Sequence, residues 1–288
     1  MQNVNPQLPL VYIDLLKRCI CNTIYEETYV PLMFKLEYGG RLRRIMASLA
    51  RLGSALLPAK LAGAQVFLPS NYSREQIETG AFWPQKAHSM IGLKRMTNVQ
   101  DCMQTILREG IPGDLIETGV WRGGTCIFMR GILMAYGVTD RRVYVADSFA
   151  GLPKPDDAKY PADVGDRNYS YRFLAVSLDQ VQENFRKYNL LDDQVIFLKG
   201  WFKDTLPTVS DRRFALIRLD GDMYESTMDA LRNLYPLLSP GGFCVIDDYF
   251  LEPCRRAVHE YRTQNDIHDS LVDIDGNACF WRKEPKKS

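Results

Sequence analysis

At 288 residues, 46% hydrophobic and 25% charged, the chain can bury a substantial core without disulfide or metal staples and has the make-up of a soluble globular protein. Its 36 Lys and Arg nearly balance 35 Asp and Glu, so a net charge of +1 excludes a global pull toward nucleic acid or acidic membranes. The 7 cysteines lack metal spacing, are odd in number and follow no secretory leader, and no apolar run reaches the roughly 18 residues of a membrane helix; reduced thiols in a cytoplasm and no membrane span are expected.

Ile13, Leu16, Ile20 and Ile24, three and four apart, predict a helical stretch between Tyr12 and Tyr29. A second amphipathic stretch over 41–61 carries Arg41, Arg43, Arg44 and Arg51. Both are expected to pack on the main domain or on a second subunit, with a basic helix on a membrane surface as the alternative. Residues 69–95 read as loop and short helix, with His88 in a structural role. Val99, Cys102, Met103 and Ile106 then place a helix over 98–109, and Pro112-Gly113 ends it. From here apolar runs alternate with helical patterns. Strands are expected at 114–118, 142–146, 194–198, 215–219 and 243–247, and helices near 124–136, 178–189, 225–236 and 253–264. Such alternation predicts a doubly wound α/β sheet with five parallel strands. Gly276-Asn277 between two short apolar runs predicts a terminal antiparallel hairpin. The organisation reads as an amino-terminal helical region, 1–97, and a main domain, 98–288.

The segment 150–173 breaks the rhythm. A long irregular stretch in a compact domain suggests a substrate lid or a passive surface loop. Its Tyr160, Tyr169 and Tyr171 suit stacking on a sugar or aromatic ring.

Two features define a ligand. After the first strand comes Glu117-Thr118-Gly119-Val120-Trp121-Arg122-Gly123-Gly124-Thr125, a glycine turn opening a helix. Its spacing is not the Gly-x-Gly-x-x-Gly of dinucleotide enzymes, and an acid at the strand end repels phosphate but suits a cationic amino group. The next strand ends in Asp147-Ser148, where an acid can take ribose hydroxyls. A nucleoside carrying an amino acid and no phosphate, S-adenosylmethionine, satisfies both. Downstream, two buried-type strands end in Asp220-Gly221-Asp222 and Asp247-Asp248. Four acids on one sheet edge suggest a divalent cation, a general base, or both. Tyr224 and Glu225 read as first-turn helix residues, with Tyr224 a candidate substrate contact.

The stretches HSMIGLKRM (88–96), LIETGVWRGG (115–124), VADSFAGLP (145–153), FLKGWFKDTLP (197–207), LDGDMYEST (219–227) and VIDDY (245–249) resemble the macrocin O-methyltransferase (TylF) family, sugar O-methyltransferases of antibiotic pathways. The resemblance implies a class I methyltransferase (Rossmann-like) fold and dependence on Mg²⁺. It implies that Asp220, Asp247 and Asp248 hold the metal and that Asp222 is the general base. It places Ser89 and Met90 at the methionine end of the cofactor and Gly200-Trp201 at its adenine. It also implies that the amino-terminal region and the 150–173 loop cover a glycosylated small molecule, and that the protein is a homo-oligomer, dimer or tetramer. The expected reaction is methyl transfer to a glycosyl hydroxyl. A catechol or phenol acceptor is the nearest alternative. A nucleotide-sugar oxidoreductase is disfavoured by the glycine spacing.

Overall fold

The computed structural model describes residues 7–25, 29–32, 46, 67–69, 72–81 and 84–284. In chain order these form α1 (Leu8–Ile20), β1 (Tyr29–Pro31), β2 (Phe67–Pro69), α2 (Arg74–Thr79) and α3 (Gly92–Arg108). Then follow β3 (Asp114–Thr118), α4 (Gly124–Ala135), β4 (Val143–Asp147), α5 (Leu178–Lys187), β5 (Val195–Lys199) and the single turn α6 (Phe202–Thr205). The carboxyl-terminal part holds β6 (Phe214–Leu219), α7 (Tyr224–Leu234), β7 (Leu238–Ile246), α8 (Glu252–Gln264), β8 (Val272–Asp273) and β9 (Cys279–Arg282).

The main sheet has the order β5-β4-β3-β6-β7-β9-β8. Its first five strands are parallel, and the β8–β9 hairpin closes one side antiparallel to β7. The expected five parallel strands plus hairpin are therefore present, together with a separate antiparallel ribbon of β1 and β2. Strand order reverses between β3 and β6, the switch point where such sheets open a crevice at the strands' carboxyl ends. Both faces are covered. Ile13, Leu16 and Ile20 of α1 join α3, α4 and α5 in one apolar layer, and α7 and α8 form the other. Gly131 of α4 lets α1 lie close, since a methyl group there would sit 2.2 Å from Leu16.

Several boundaries differ from expectation. Helix α1 stops at Ile20; Asn22 takes a left-handed φ of +51°, and Ile24 is exposed rather than on the buried face. Helix α3 starts at Gly92, well before residue 98, because Met96 continues its buried face toward the amino end. Strands β4 and β5 run one residue further than expected. Strand β7 begins at Leu238 and passes through Pro240-Gly241-Gly242. Leu238 pairs with Phe214 and Phe243 with Leu216, and the intervening residues bulge out. The terminal hairpin is not closed by a two-residue turn. Ile274 to Ala278 form its loop, with the Asp273 and Asp275 carboxylates accepting from the N–H groups of Gly276, Asn277 and Ala278. The stretch expected over 41–61 lies outside the described residues except for Met46. Among the described residues no helix is long and apolar enough to cross a membrane.

Candidate active site

A cleft of about 560 Å³ opens at the carboxyl edge of the sheet. Glu117, Gly119, Thr125, Asp147, Ser148, Gly200, Trp201, Ser89 and Met90 all line it, as do Asp220, Asp222, Asp247 and Asp248. Thr118, Gly123 and Gly124 do not. Gly124 N–H donates to the His88 carbonyl at 3.0 Å, and a methyl group at Gly124 would lie 2.4 Å from that oxygen. The glycine at the helix start thus admits the 88–90 segment of the protein, and that segment carries Ser89 and Met90 to the cleft. Gly119 also answers to the fold. At φ +83°, it lets β3 turn beside the Asp220 carbonyl, where an added methyl would sit at 1.6 Å. Gly119→Ala is therefore expected to abolish soluble expression, and recovery of normally folded protein by circular dichroism would contradict this.

Asp147 is held in place before any ligand arrives. Its Oδ2 accepts from Val120 N–H at 2.8 Å and its Oδ1 from Phe149 N–H at 2.7 Å. Trp121 N–H and the Ser148 hydroxyl lie against the same carboxylate. Burial raises its pKa, and these N–H groups oppose the rise. Glu117 is different from expectation. It is buried, one oxygen meets the Arg218 guanidinium, and the other accepts from Cys126 Sγ–H at 2.9 Å. It faces the cleft as half of an ion pair. His88 does not line the cleft: its Nδ1 lies 2.7 Å from the Tyr188 hydroxyl, and burial lowers its pKa to about 4.

The acids do converge. Asp220, Asp247 and Asp248 each offer an oxygen, all within 4.8 Å of one another. Asp222 sits at φ +59°, a left-handed conformation that Asp tolerates, and its N–H donates to Asp248 Oδ2 at 2.9 Å. Two arginines missed at the level of sequence organise this cluster. Arg218, fully buried in β6, pairs with Glu117, with Asp220 Oδ2 at 2.7 Å, and with Asp247 Oδ1. Arg95 of α3 reaches Asp247 Oδ2 at 2.5 Å, Asp275 at 3.1 Å and the Thr79 carbonyl at 3.0 Å. The signal for Arg218 was present: one cation inside the otherwise apolar run FALIRL. Even so, six carboxylates (Glu117, Asp220, Asp222, Asp247, Asp248, Asp275) face two guanidiniums. Burial and then the unbalanced negative charge raise Asp220 to about 8 and Asp222 to about 7, and push Asp248 well up. An all-oxygen donor set with excess negative charge fits a hard divalent cation.

The 150–173 segment contributes Lys154, Asp156, Lys159 and Asn168 to the cleft. Its tyrosines do not line it, contrary to the expected stacking role. The Tyr224 hydroxyl donates to Glu260 at 2.6 Å, and Tyr160 packs on the Tyr224 ring at 6.2 Å between centroids. Tyr171 packs on Phe173, and Tyr169 is exposed. Lys154, Asp156 and Lys159 line the cleft in their place, beside Gly151, Leu152 and Pro153.

The model of the macrocin-O-methyltransferase (TylF) family matches residues 10–283. The chain belongs to the macrocin O-methyltransferase family. Over 277 residues it is 46% identical to mycinamicin III 3″-O-methyltransferase of Micromonospora griseorubida, covering 95% of this chain and 96% of that one. It is 57% identical over 204 residues to a tetracenomycin rhamnosyl 4′-O-methyltransferase of Streptomyces olivaceus, covering 70% and 78%. The solved structure of the O-methyltransferase NovP superposes with a TM-score of 0.79 at 40% identity, covering 96% of this chain and all of that one. Calicheamicin methyltransferase CalS11, at 19% identity and a TM-score of 0.55 over 74% of this chain and 94% of that one, shares the fold. This macrocin O-methyltransferase family member is thus an α/β methyltransferase, with Asp147, Asp220, Asp222, Asp247 and Asp248 gathered in one cleft.

Proposed function

We propose that this enzyme transfers the methyl group of S-adenosylmethionine to a glycosyl hydroxyl of a small secondary metabolite. Asp220, Asp247 and Asp248 hold Mg²⁺, and Asp222 acts as general base. The observation that carries the reading is the convergence of those three carboxylates beside Asp222 in a cleft that also holds Asp147. Family membership and fold support the methyl donor, and the relatives' names support a sugar acceptor. The amino-terminal region, through Gly80, Ser89, Met90 and Arg95, and the 150–173 segment line the cleft that takes the acceptor. We further propose a homo-oligomer, supported by the exposed apolar Leu8, Leu10, Val11 and Leu15 of α1. The free cysteines support a reducing cytoplasm.

In this reading Asp147, held rigid by its backbone N–H donors, orients the ribose. Glu117, already paired with Arg218, fixes the electrostatics at the methionine end. Methyl transfer is an in-line displacement, so holding acceptor oxygen and methyl carbon in line lowers the barrier. The acceptor is a neutral sugar hydroxyl that does not ionise at neutral pH, and Asp222 takes its proton. When bound, the cation supplies stabilisation for the negative charge that develops on that oxygen.

Calorimetry is expected to show binding of S-adenosylhomocysteine, and NAD binding in its place would sink the proposal. Turnover is expected to stop in EDTA and return with Mg²⁺, and Asp248→Ala to raise the Mg²⁺ concentration required. An EDTA-insensitive enzyme, free of metal by elemental analysis, would remove the metal role while leaving methyl transfer intact.

A further inference from the structure

The 150–173 segment is tied down at three places. At its start, Ser148 Oγ donates to the Gly151 carbonyl at 2.6 Å. At its end, Trp121 Nε1 donates to the Phe173 carbonyl at 2.9 Å. Between them, Asp163 is 1% exposed, and its carboxylate spans the start of α7: Oδ1 accepts from Tyr224 N–H at 2.7 Å and Oδ2 from Glu225 N–H at 3.0 Å.

That third tie has a specific physical reason. The first N–H groups of a helix have no partner within it. Most helices satisfy them with a local Ser, Thr, Asp or Asn, but the residue at the cap of α7 is Met223, which makes no side-chain cap bond. Asp163 supplies the missing acceptor from 61 residues away, as a carboxylate at the positive end of the helix dipole. Helix α7 follows Asp222 after a single residue. Asp222 is left-handed, its N–H is bound to Asp248, and Met223 N–H donates to the Gly221 carbonyl at 2.5 Å. The turn bearing Asp222 and the first turn of α7 are therefore one stiff unit, and Asp163 grips that unit from the segment over the cleft.

We propose that Asp163 is a positioning residue: it latches the 150–173 segment onto the turn bearing Asp222, so that covering the cleft and placing the base are a single event. The inference rests on the reading of Asp222 as base. When the segment lifts, α7 loses its cap and Asp222 loses its support. When it closes, both are restored together.

The test combines Asp163→Ala and Asp163→Asn with Asp222→Asn, using radiolabelled methyl transfer to a glycosylated acceptor. Asp163→Ala is expected to lower kcat at least about tenfold, the scale of a small misplacement of a reacting group. S-adenosylhomocysteine affinity stays unchanged, and trypsin cleaves faster after Lys159 and Arg167. Asp163→Asn keeps one acceptor oxygen, so it loses less and guards against a variant that fails to fold. The exposed Asp157→Asn changes neither readout. The deciding measurement is the double-mutant cycle. If Asp163 works through Asp222, adding Asp163→Ala to Asp222→Asn costs almost no further kcat. Full multiplication of the two losses, or an unchanged kcat in Asp163→Ala, overturns the latch while Asp222 stands as base. Near-normal turnover of Asp222→Asn alone overturns the base, and the latch with it.

Discussion

Asp222→Asn is expected to lower kcat by about 10²–10⁴-fold, the usual worth of general-base assistance. The substitution is chosen because it removes the proton acceptor and little else. Asn matches Asp in shape and tolerates the left-handed φ of +59° that the turn requires. The backbone N–H that donates to Asp248 Oδ2 at 2.9 Å remains. Asp222→Ala lacks this property, since a strained backbone would blur the cause of any loss. Cofactor affinity and the Mg²⁺ requirement should both hold, because Asp147 and the three clustered carboxylates are untouched. The expected pattern is thus a fall in kcat with binding intact, read by single-turnover methyl transfer alongside calorimetry. Turnover within a few-fold of the parent enzyme would remove Asp222 as base. Loss of Mg²⁺ binding in the variant would instead make it a fourth ligand.

How much of this was legible in the sequence follows from the range of each interaction. Strand ends were legible because apolar runs stop where the sheet stops. Asp147, Asp220 and Asp247 each follow or end such a run, so the parallel fold brings them to one edge. The grouping of Asp220, Asp247 and Asp248 followed from family resemblance and is matched by the geometry. Arg218 was not legible as a partner, although it stands in plain view. A pattern reading counts β6 as apolar, and only the fold shows that Glu117 of β3 and Asp247, just past the end of β7, flank it. Asp163 was hidden for the same reason, since its partners lie more than sixty positions away. The tyrosines misled because composition reveals that a ring is present but not which way it faces; those at 160 and 224 face each other. The glycines at 123 and 124 misled in a subtler way. Close approach was correctly expected, but the approaching group at Gly124 is His88 of the protein.

Arg218→Met should have the largest effect on stability. The guanidinium is fully buried and is shared among Glu117, Asp220 and Asp247. Methionine fills much of the volume, so the loss is electrostatic. Removing one partner of a buried ionic network costs about 3–5 kcal/mol, because the remaining charges stay buried without compensation. For a domain of this size that corresponds to a Tm lowered by roughly 10 °C. Arg218→Lys restores the charge but not the fork that bridges three carboxylates, and should fall between the two. The sign of the pH dependence separates charge from packing. Asp220 and Asp222 already titrate in the folded state at about 8 and about 7, against about 3.9 in an unfolded chain. Between those limits the native state binds more protons than the unfolded state, so stability falls as pH rises. Without the guanidinium the native carboxylates hold protons more strongly, and the slope steepens. The deficit of Arg218→Met should therefore be greatest near pH 8 and smallest near pH 5. If the cluster holds Mg²⁺ as proposed, the ion should recover more of the deficit at pH 8, where fewer protons compete for the carboxylates. Thermal unfolding at both pH values, with Mg²⁺ and with EDTA, measures this. A Tm deficit independent of pH and of Mg²⁺ would mean that Arg218 serves packing, and that the acids balance one another without it.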